Sequence, residues 1–353
     1  MFEIILFIVV LAILIYYVPS KSKHNVLLEK INKNINNYLE SIKLHVNEIN
    51  TFQCKSVLSN GKIFVSIASF CDPLLSTTIK SLILNCSNPK NLVICVYEQN
   101  DSSVPSVSTD EYRKYGCKFI RLKANATDAK GPVIARYIIQ RYWMGEEYYL
   151  QIDSHTLFVL NWDVKCLENL NKSIQSSKTS KCCISNYVGT FDVSTLKVNS
   201  NLVRGPMYIS QNEFETIDGI PRYNSNYLKE LVTNPLKSQG WSGCFSFSSS
   251  QIILDAPYDP YYSFLFFGEE SDIFQRLSGK GWSIYVPSSN ICFTTFDRRY
   301  RKTFWSTSYS KSQAELSRLR YFIKHKYLQE NQFKTSDMMY LYKLVTKEIE
   351  LYS

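Results

Sequence analysis

The chain has 353 residues, 45% of them hydrophobic and 20% charged, with a formal net charge of +9. That apolar content excludes a mostly disordered protein, and the length suffices for one large or two modest domains with a substantial core. The positive balance suits nucleotide phosphates or a membrane surface, or a merely lysine-rich solvated surface; without a basic helix carrying interleaved aromatics or zinc-finger spacing, no nucleic-acid partner is expected.

Residues 1–20 contain an unbroken apolar run, Ile4 to Val18, stopped by Pro19 and followed by Lys21 and Lys23. The run predicts a single-pass transmembrane anchor, slightly short of a hydrocarbon core of roughly 30 Å. A cleaved signal peptide is the rival; Glu3 and the absence of a small-residue cleavage site disfavour it. Positive charge after the run places the body on the cytosolic rather than the lumenal side. Scattered cysteines with no CxxC pair agree with a reduced compartment, whereas N-x-S/T sequons at Asn85, Asn100, Asn125 and Asn171 pull the other way. Residues 21–55 read as a helical stalk. There Leu28, Ile31, Ile35, Tyr38, Ile42 and Ile49 form one stripe, packed either on the chain's own domain or on a second copy in a homo-oligomer.

The body spans residues 56–308. IFVSIASF (63–70) predicts a strand, DPLLSTTIKSLILNC (72–86) a helix, NLVICVYEQ (91–99) and CKFIRLK (117–123) two further strands. GPVIARYIIQRYW (131–143) predicts a helix opened by Pro132, and EYYLQIDSHTLF (147–158) a fourth strand. Strands alternating with helices imply an α/β fold with a mainly parallel, Rossmann-like sheet. In such sheets ligands sit at the carboxyl ends of strands, where Asp153 and His155 fall. A carboxylate and an imidazole two residues apart can turn toward one divalent ion, and mixed oxygen and nitrogen ligands suit Mn²⁺. An aspartate at a strand end can equally be a turn former. No glycine fingerprint follows the first strand and no P-loop occurs, which argues against nicotinamide cofactors and kinase-type chemistry.

Further along, GWSGCFSF (240–247) and APYDPYYSFLFFGEESDIFQRL (256–277) join the earlier blocks in an order that resembles one family. It is the GlcNAc-transferase family typified by the Skp1 hydroxyproline GlcNAc-transferase; the polypeptide GalNAc-transferases are more distantly similar. The resemblance covers roughly residues 62 to 305. It implies a GT-A fold, a UDP-sugar donor, a divalent metal (usually Mn²⁺), and transfer to a protein or glycan hydroxyl with retention of configuration. Asp153 and His155 then inherit the metal, with Asp153 also facing the nucleotide. Ala68, Ser69, Phe70 and Asp72 cradle the uridine, and Arg136 contacts the nucleotide. Trp241, Ser242 and Gly243 face the acceptor. Glu269 and Glu270 orient the donor sugar or the acceptor hydroxyl, although both also suit the first turn of a helix. Arg298, Arg299 and Arg301 lie in a loop expected to close over the departing diphosphate.

Two departures from the family pattern stand out. Thr294 occupies the position where relatives carry a further metal-binding histidine, and Cys71 replaces an arginine in the first loop. They leave room for a second reading, a membrane-tethered module that binds a sugar nucleotide or a partner without catalysis. Residues 309–353 predict a basic helical extension with Leu316, Leu319, Phe322 and Ile323 on one face.

Overall fold

Ile63–Phe70 (β1) is rich in β-branched and aromatic residues and buried along nearly its whole length, the signature of a central strand covered on both faces. The computed structural model describes residues 56–198, 205–210, 220–228, 232–322, 324 and 325. After β1 come α1 (Leu75–Leu84), β2 (Leu92–Asn100), α2 (Asp110–Arg113), β3 (Lys118–Asn125), α3 (Pro132–Gln140), β4 (Tyr148–Asp153) and β5 (Thr156–Phe158). The second half contains α4 (Trp162–Ser177), β6 (Cys182–Ser185), β7 (Gly189–Thr190), β8 (Met207–Ser210), β9 (Asn224–Tyr227), β10 (Leu236–Lys237) and β11 (Phe245–Ser249). It continues with α5 (Gln251–Asp255), α6 (Glu269–Gly279), β12 (Ser283–Val286), β13 (Cys292–Thr294) and α7 (Phe304–Thr307). These elements lie in one compact unit, Cys54–Ser310. The second unit takes in residues 1–53 and 311–353, and its described part is essentially α8 (Lys311–Phe322).

Eight strands form the main sheet in the order β10-β12-β6-β11-β4-β1-β2-β3. β1 pairs in parallel with β2 on one side and β4 on the other, so the chain reverses its direction of travel across the sheet at β1. Such a switch point opens a crevice at the carboxyl ends of the two strands. The register aligns Ala68 with Asp153 and brings both tips to that crevice. The sheet is mixed rather than purely parallel: β11 runs antiparallel between β4 and β6. GWSGCFSF is therefore a turn entering a strand, and its arrival beside β4 carries Gly243 to the same edge. The core on one face of the sheet includes Val65, Ile67, Ile79, Leu150, Trp162 and Phe245, each almost wholly buried. Each such side chain contributes on the order of 1.5–3 kcal/mol.

The predicted fourth strand is corrected by the structure. It breaks after Asp153, and Thr156–Phe158 joins a separate three-stranded sheet, β5-β13-β7. Thr78 of α1 holds the break open: its hydroxyl donates to the carbonyl of Ser154 (2.8 Å) and accepts from the amide of Thr156 (2.8 Å). Without that interruption Asp153 and His155, two residues apart, would simply continue the pleat.

The predicted anchor (1–20) and stalk (21–55) lie outside the described residues. Among the described residues no helix is long and apolar enough to cross a membrane. The side chains of Leu316, Leu319, Phe322 and Ile323 likewise fall outside those described.

Candidate functional site

At the tips of β1 and β4 lies a cavity of about 490 Å³, lined among others by Ala68, Ser69, Phe70, Arg136, Asp153 and His155. The start of α6, with Glu269 and Glu270, and the segment carrying Arg298 and Arg301 also line it. This size falls within the range of small-ligand and cofactor sites.

Asp153 and His155 converge. Oδ2 of Asp153 lies 3.8 Å from Nε2 of His155, a separation two ligands of one ion can adopt. Their remaining polar atoms are already committed. Nδ1 of His155 is 2.7 Å from Oδ2 of Asp72, and the other oxygen of Asp153 accepts from Nη2 of Arg136 at 2.8 Å. A carboxylate only accepts, so Nδ1 of His155 carries a hydrogen and Nε2 is the nitrogen directed toward Asp153 and the cavity. Burial works to raise the Asp72 carboxyl, but His155, Arg301 and Ser154 outweigh it and hold the group below its ordinary range. Asp72 is therefore ionised and fully inside the protein, where it orients a histidine.

Among the described residues no group of three or more His, Cys, Asp or Glu side chains is placed to hold a metal. The residues present fit a cation that takes two ligands from the protein and the rest from phosphate oxygens and water, the manner in which diphosphate-bound Mg²⁺ is commonly held. Thr294, the position expected for a third ligand, is buried in β13 and donates to the carbonyl of His155 (3.1 Å). Its neighbour Thr295 is the one that lines the cavity.

Arg136 joins Asp153 to the start of α6. It is buried and bonds Glu269 through Nη1 and Asp153 through Nη2. Burial opposes its charge, yet Glu269 and Asp153 more than compensate and keep it firmly protonated. Gly243 makes room for this pair: a Cβ there would meet Arg136 Nη1 at 2.9 Å and Glu269 Oε1 at 3.3 Å. Gly268, at φ +115° just before α6, adopts a conformation that side chains rarely tolerate and turns both glutamates inward.

Glu270 faces the cavity beside Tyr187, whose hydroxyl donates to Oε2, while the amide of Gly243 donates to Oε1 at 2.9 Å. Burial, reinforced by the charge of Glu269, pushes this carboxyl up to about 7 in spite of those donors. An acid with a raised folded value favours the fold when protonated. Its contribution is complete below about 4.5 and is lost as pH rises through about 7. Glu270→Gln removes that dependence. Between pH 5 and 8 the wild-type Tm should therefore fall relative to the variant. A wholly enclosed group would give about 3 kcal/mol, and the open side toward the cavity reduces this to roughly 1–2 kcal/mol. Thermal melts across pH check it.

In the segment after β13, Arg301 donates to the carbonyl of Phe70 (3.0 Å), and the Tyr300 hydroxyl reaches Asp72 (3.2 Å). Arg298 lies over the rings of Trp305 (4.8 Å) and Phe266 (5.2 Å). Burial and the charge of Arg301 both push the Arg298 guanidinium down, so an anion between the two would relieve the repulsion.

Residues 62–127 and 109–352 match the family described as Glycosyltransferase (GlcNAc), which is most of the chain. The chain belongs to this GlcNAc glycosyltransferase family. No curated protein matches it. The solved structure of GalNAc-T7 with UDP, GalNAc and Mn²⁺ is similar at 13% identity and a TM-score of 0.53, covering 82% of this chain; this chain spans 56% of GalNAc-T7. Staphylococcus aureus TarS 1–349 in complex with UDP-GlcNAc is similar at 11% identity and a TM-score of 0.42, over 80% of this chain and 79% of that one. A Pyrobaculum calidifontis mannosyltransferase with GDP-Man and Mn²⁺ is similar at 11% identity and a TM-score of 0.39, over 82% and 72%. The GT-A fold expected from the resemblance is the one found, a mixed α/β architecture around a mostly parallel sheet.

For this family member the structure gathers Ala68, Ser69, Phe70, Arg136, Asp153, His155, Gly243, Glu269, Glu270, Arg298 and Arg301 around one cavity. Asp72 stands behind it. Three expected residues are placed elsewhere. Trp241 and Ser242 are buried, with the indole donating to Ser246 Oγ (3.0 Å), and Trp241 offers no face to an acceptor. The Arg299 side chain is 91% exposed and paired with Asp297, directed to solvent. Sequence reading missed Gln99 and Tyr187, which line the cavity. Gln99 ends the predicted second strand and could have been found by position. Tyr187 follows a short strand with no signal of its own.

Proposed function

We propose that this chain transfers GlcNAc from UDP-GlcNAc to a hydroxyl on a protein, at hydroxyproline, serine or threonine, or on a glycan, with retention at the anomeric carbon as the Skp1-type resemblance implies. The observation that carries the reading is the convergence of Asp153 Oδ2 and His155 Nε2 at the switch point, with Arg298 and Arg301 on the lining of the same cavity. Anion-seeking and cation-seeking groups on one small volume suit a diphosphate. Ala68–Phe70 and Gln99 form the nucleotide rim. Arg298 and Arg301 offset the charge that builds on UDP as it leaves. Glu270, fixed by Tyr187 and Gly243, accepts hydrogen bonds from sugar hydroxyls and holds the acceptor near the anomeric carbon. Asp153 and His155 would hold a divalent ion, Mn²⁺ by ligand type, that neutralises the diphosphate.

The same proposal includes a membrane anchor at 1–20, a stalk at 21–55 that allows self-association, a transferase body at 56–308 facing the cytosol, and a helical extension at 309–353. One observation favours a different reading, a silent sugar-nucleotide-binding module: the described residues provide no third acidic, histidine or cysteine ligand.

Incubation with Mn²⁺ and a panel of UDP-sugars, with and without hydroxyproline, serine or threonine peptides and glycan acceptors, separates the two. UDP release that is abolished by a chelator and fastest with UDP-GlcNAc supports transfer. Binding without release across the whole panel supports the silent module.

A further inference from the structure

Behind the cavity wall, and outside its lining, Tyr258 is buried with its hydroxyl donating to Oε1 of Glu269. The same hydroxyl lies 2.9 Å from Oε1 of Gln151, and the Tyr258 amide donates to Gln140 Oε1 (2.9 Å). Gln151 is itself fully buried in β4, two residues before Asp153, and its amide nitrogen donates to the carbonyl of Gly243 (2.9 Å). The ring is therefore held by backbone and side chain together and has little freedom to move.

From Tyr258 a single line of polar contacts runs to the site: hydroxyl to Glu269, Glu269 to Arg136, Arg136 to Oδ1 of Asp153. The two carboxylates and one guanidinium along it leave one net negative charge. That charge matters at Asp153, whose other oxygen faces His155. A guanidinium has a rigid planar fork, so rotating its Glu269 end also moves its Asp153 end. Glu269 accepts from both Arg136 and Tyr258 at the same oxygen, so the tyrosine hydroxyl sets where that end lies.

We propose that Tyr258 is a positioning residue for the cation site, acting through Glu269 and Arg136 to aim the carboxylate of Asp153 at the Nε2 side of His155. The proposal rests on the cation reading above and adds a residue that touches neither nucleotide nor sugar. Partners beyond the ligands themselves typically change metal affinity about 10- to 100-fold when removed, and a residue two contacts away belongs at the lower end.

The test measures Mn²⁺ binding directly, by electron paramagnetic resonance titration of free Mn²⁺ in the presence of UDP, on the full chain. Tyr258→Phe should weaken Mn²⁺ binding about 10-fold. Glu269→Gln should weaken it similarly, and the double variant should be little worse than either single one, because both interrupt one line. Equal Mn²⁺ binding by wild type and Tyr258→Phe, or additive penalties in the double variant, overturns the positioning role and leaves the proposed function standing. Wild-type protein that binds no Mn²⁺ with UDP overturns both. Should Tyr258→Phe fail to fold, 3-fluorotyrosine at 258 keeps ring and hydroxyl while strengthening the donor. It should shift the Mn²⁺ constant at least about 2-fold, and an unchanged constant overturns the role.

Discussion

Asp153→Ala is expected to lower UDP release from UDP-GlcNAc by roughly 100- to 1,000-fold, the range seen when one charge-stabilising group is removed from an active site. The substitution takes away both oxygens at once. Oδ2 is the one that faces His155 Nε2 at 3.8 Å, and Oδ1 is the acceptor for Arg136. The protein should still fold, since Arg136 keeps Glu269 as a counter-ion. Asp153→Asn separates the two contributions: it retains an acceptor for Arg136 and loses the negative charge. Comparable losses in both variants locate the effect in the charge at Oδ2. Turnover equal to wild type in either would remove Asp153 from the site's chemistry, and with it the reason to read the cavity as a diphosphate site.

Arg136→Ala should cost the fold about 3–5 kcal/mol, because it removes the one cation that pairs both carboxylates and leaves Glu269 buried without a counter-ion. For a body of this size such a loss lowers Tm on the order of 10 °C. Activity should fall together with stability, as Asp153 loses the contact that holds its Oδ1. Pairing the substitutions as Arg136→Met with Glu269→Gln removes one charge of each sign and should recover much of the stability but none of the activity. Thermal melts of the single and double variants, with UDP release measured below the melting range, check both halves. A single variant as stable as wild type would show that the buried charges are relieved in some other way.

Much of the architecture was legible in the chain itself. Runs such as IFVSIASF and LVICVYEQ leave little room for anything but buried strands, and their alternation with helices requires crossovers and a parallel sheet. The carboxyl end of the fourth strand is therefore a ligand site by position, and Asp153 and His155 fall on it. The antiparallel insertion of β11 between β4 and β6 was not legible, since pairing between distant strands leaves no local pattern. Trp241 shows the same limit: an aromatic between two glycines suggests an exposed platform, but its place beside β11 makes it core. Arg298, Arg299 and Arg301 share one short segment, yet only the first and last line the cavity, because the direction of each side chain depends on how the loop turns.

By itself the amino-acid order determined the local elements, the strand tip that carries chemistry and the balance of charge that suits an anion. These follow from periodicity and residue type, which act over a few neighbouring positions. Only the tertiary structure decided which charges meet. Arg136 bridges Glu269, 133 positions away, and Asp153. Asp72 reaches His155 across 83 positions. Coulomb and hydrogen-bond energies depend on distance in space and on the exclusion of water, and neither is set until the sheet has brought its strand ends together.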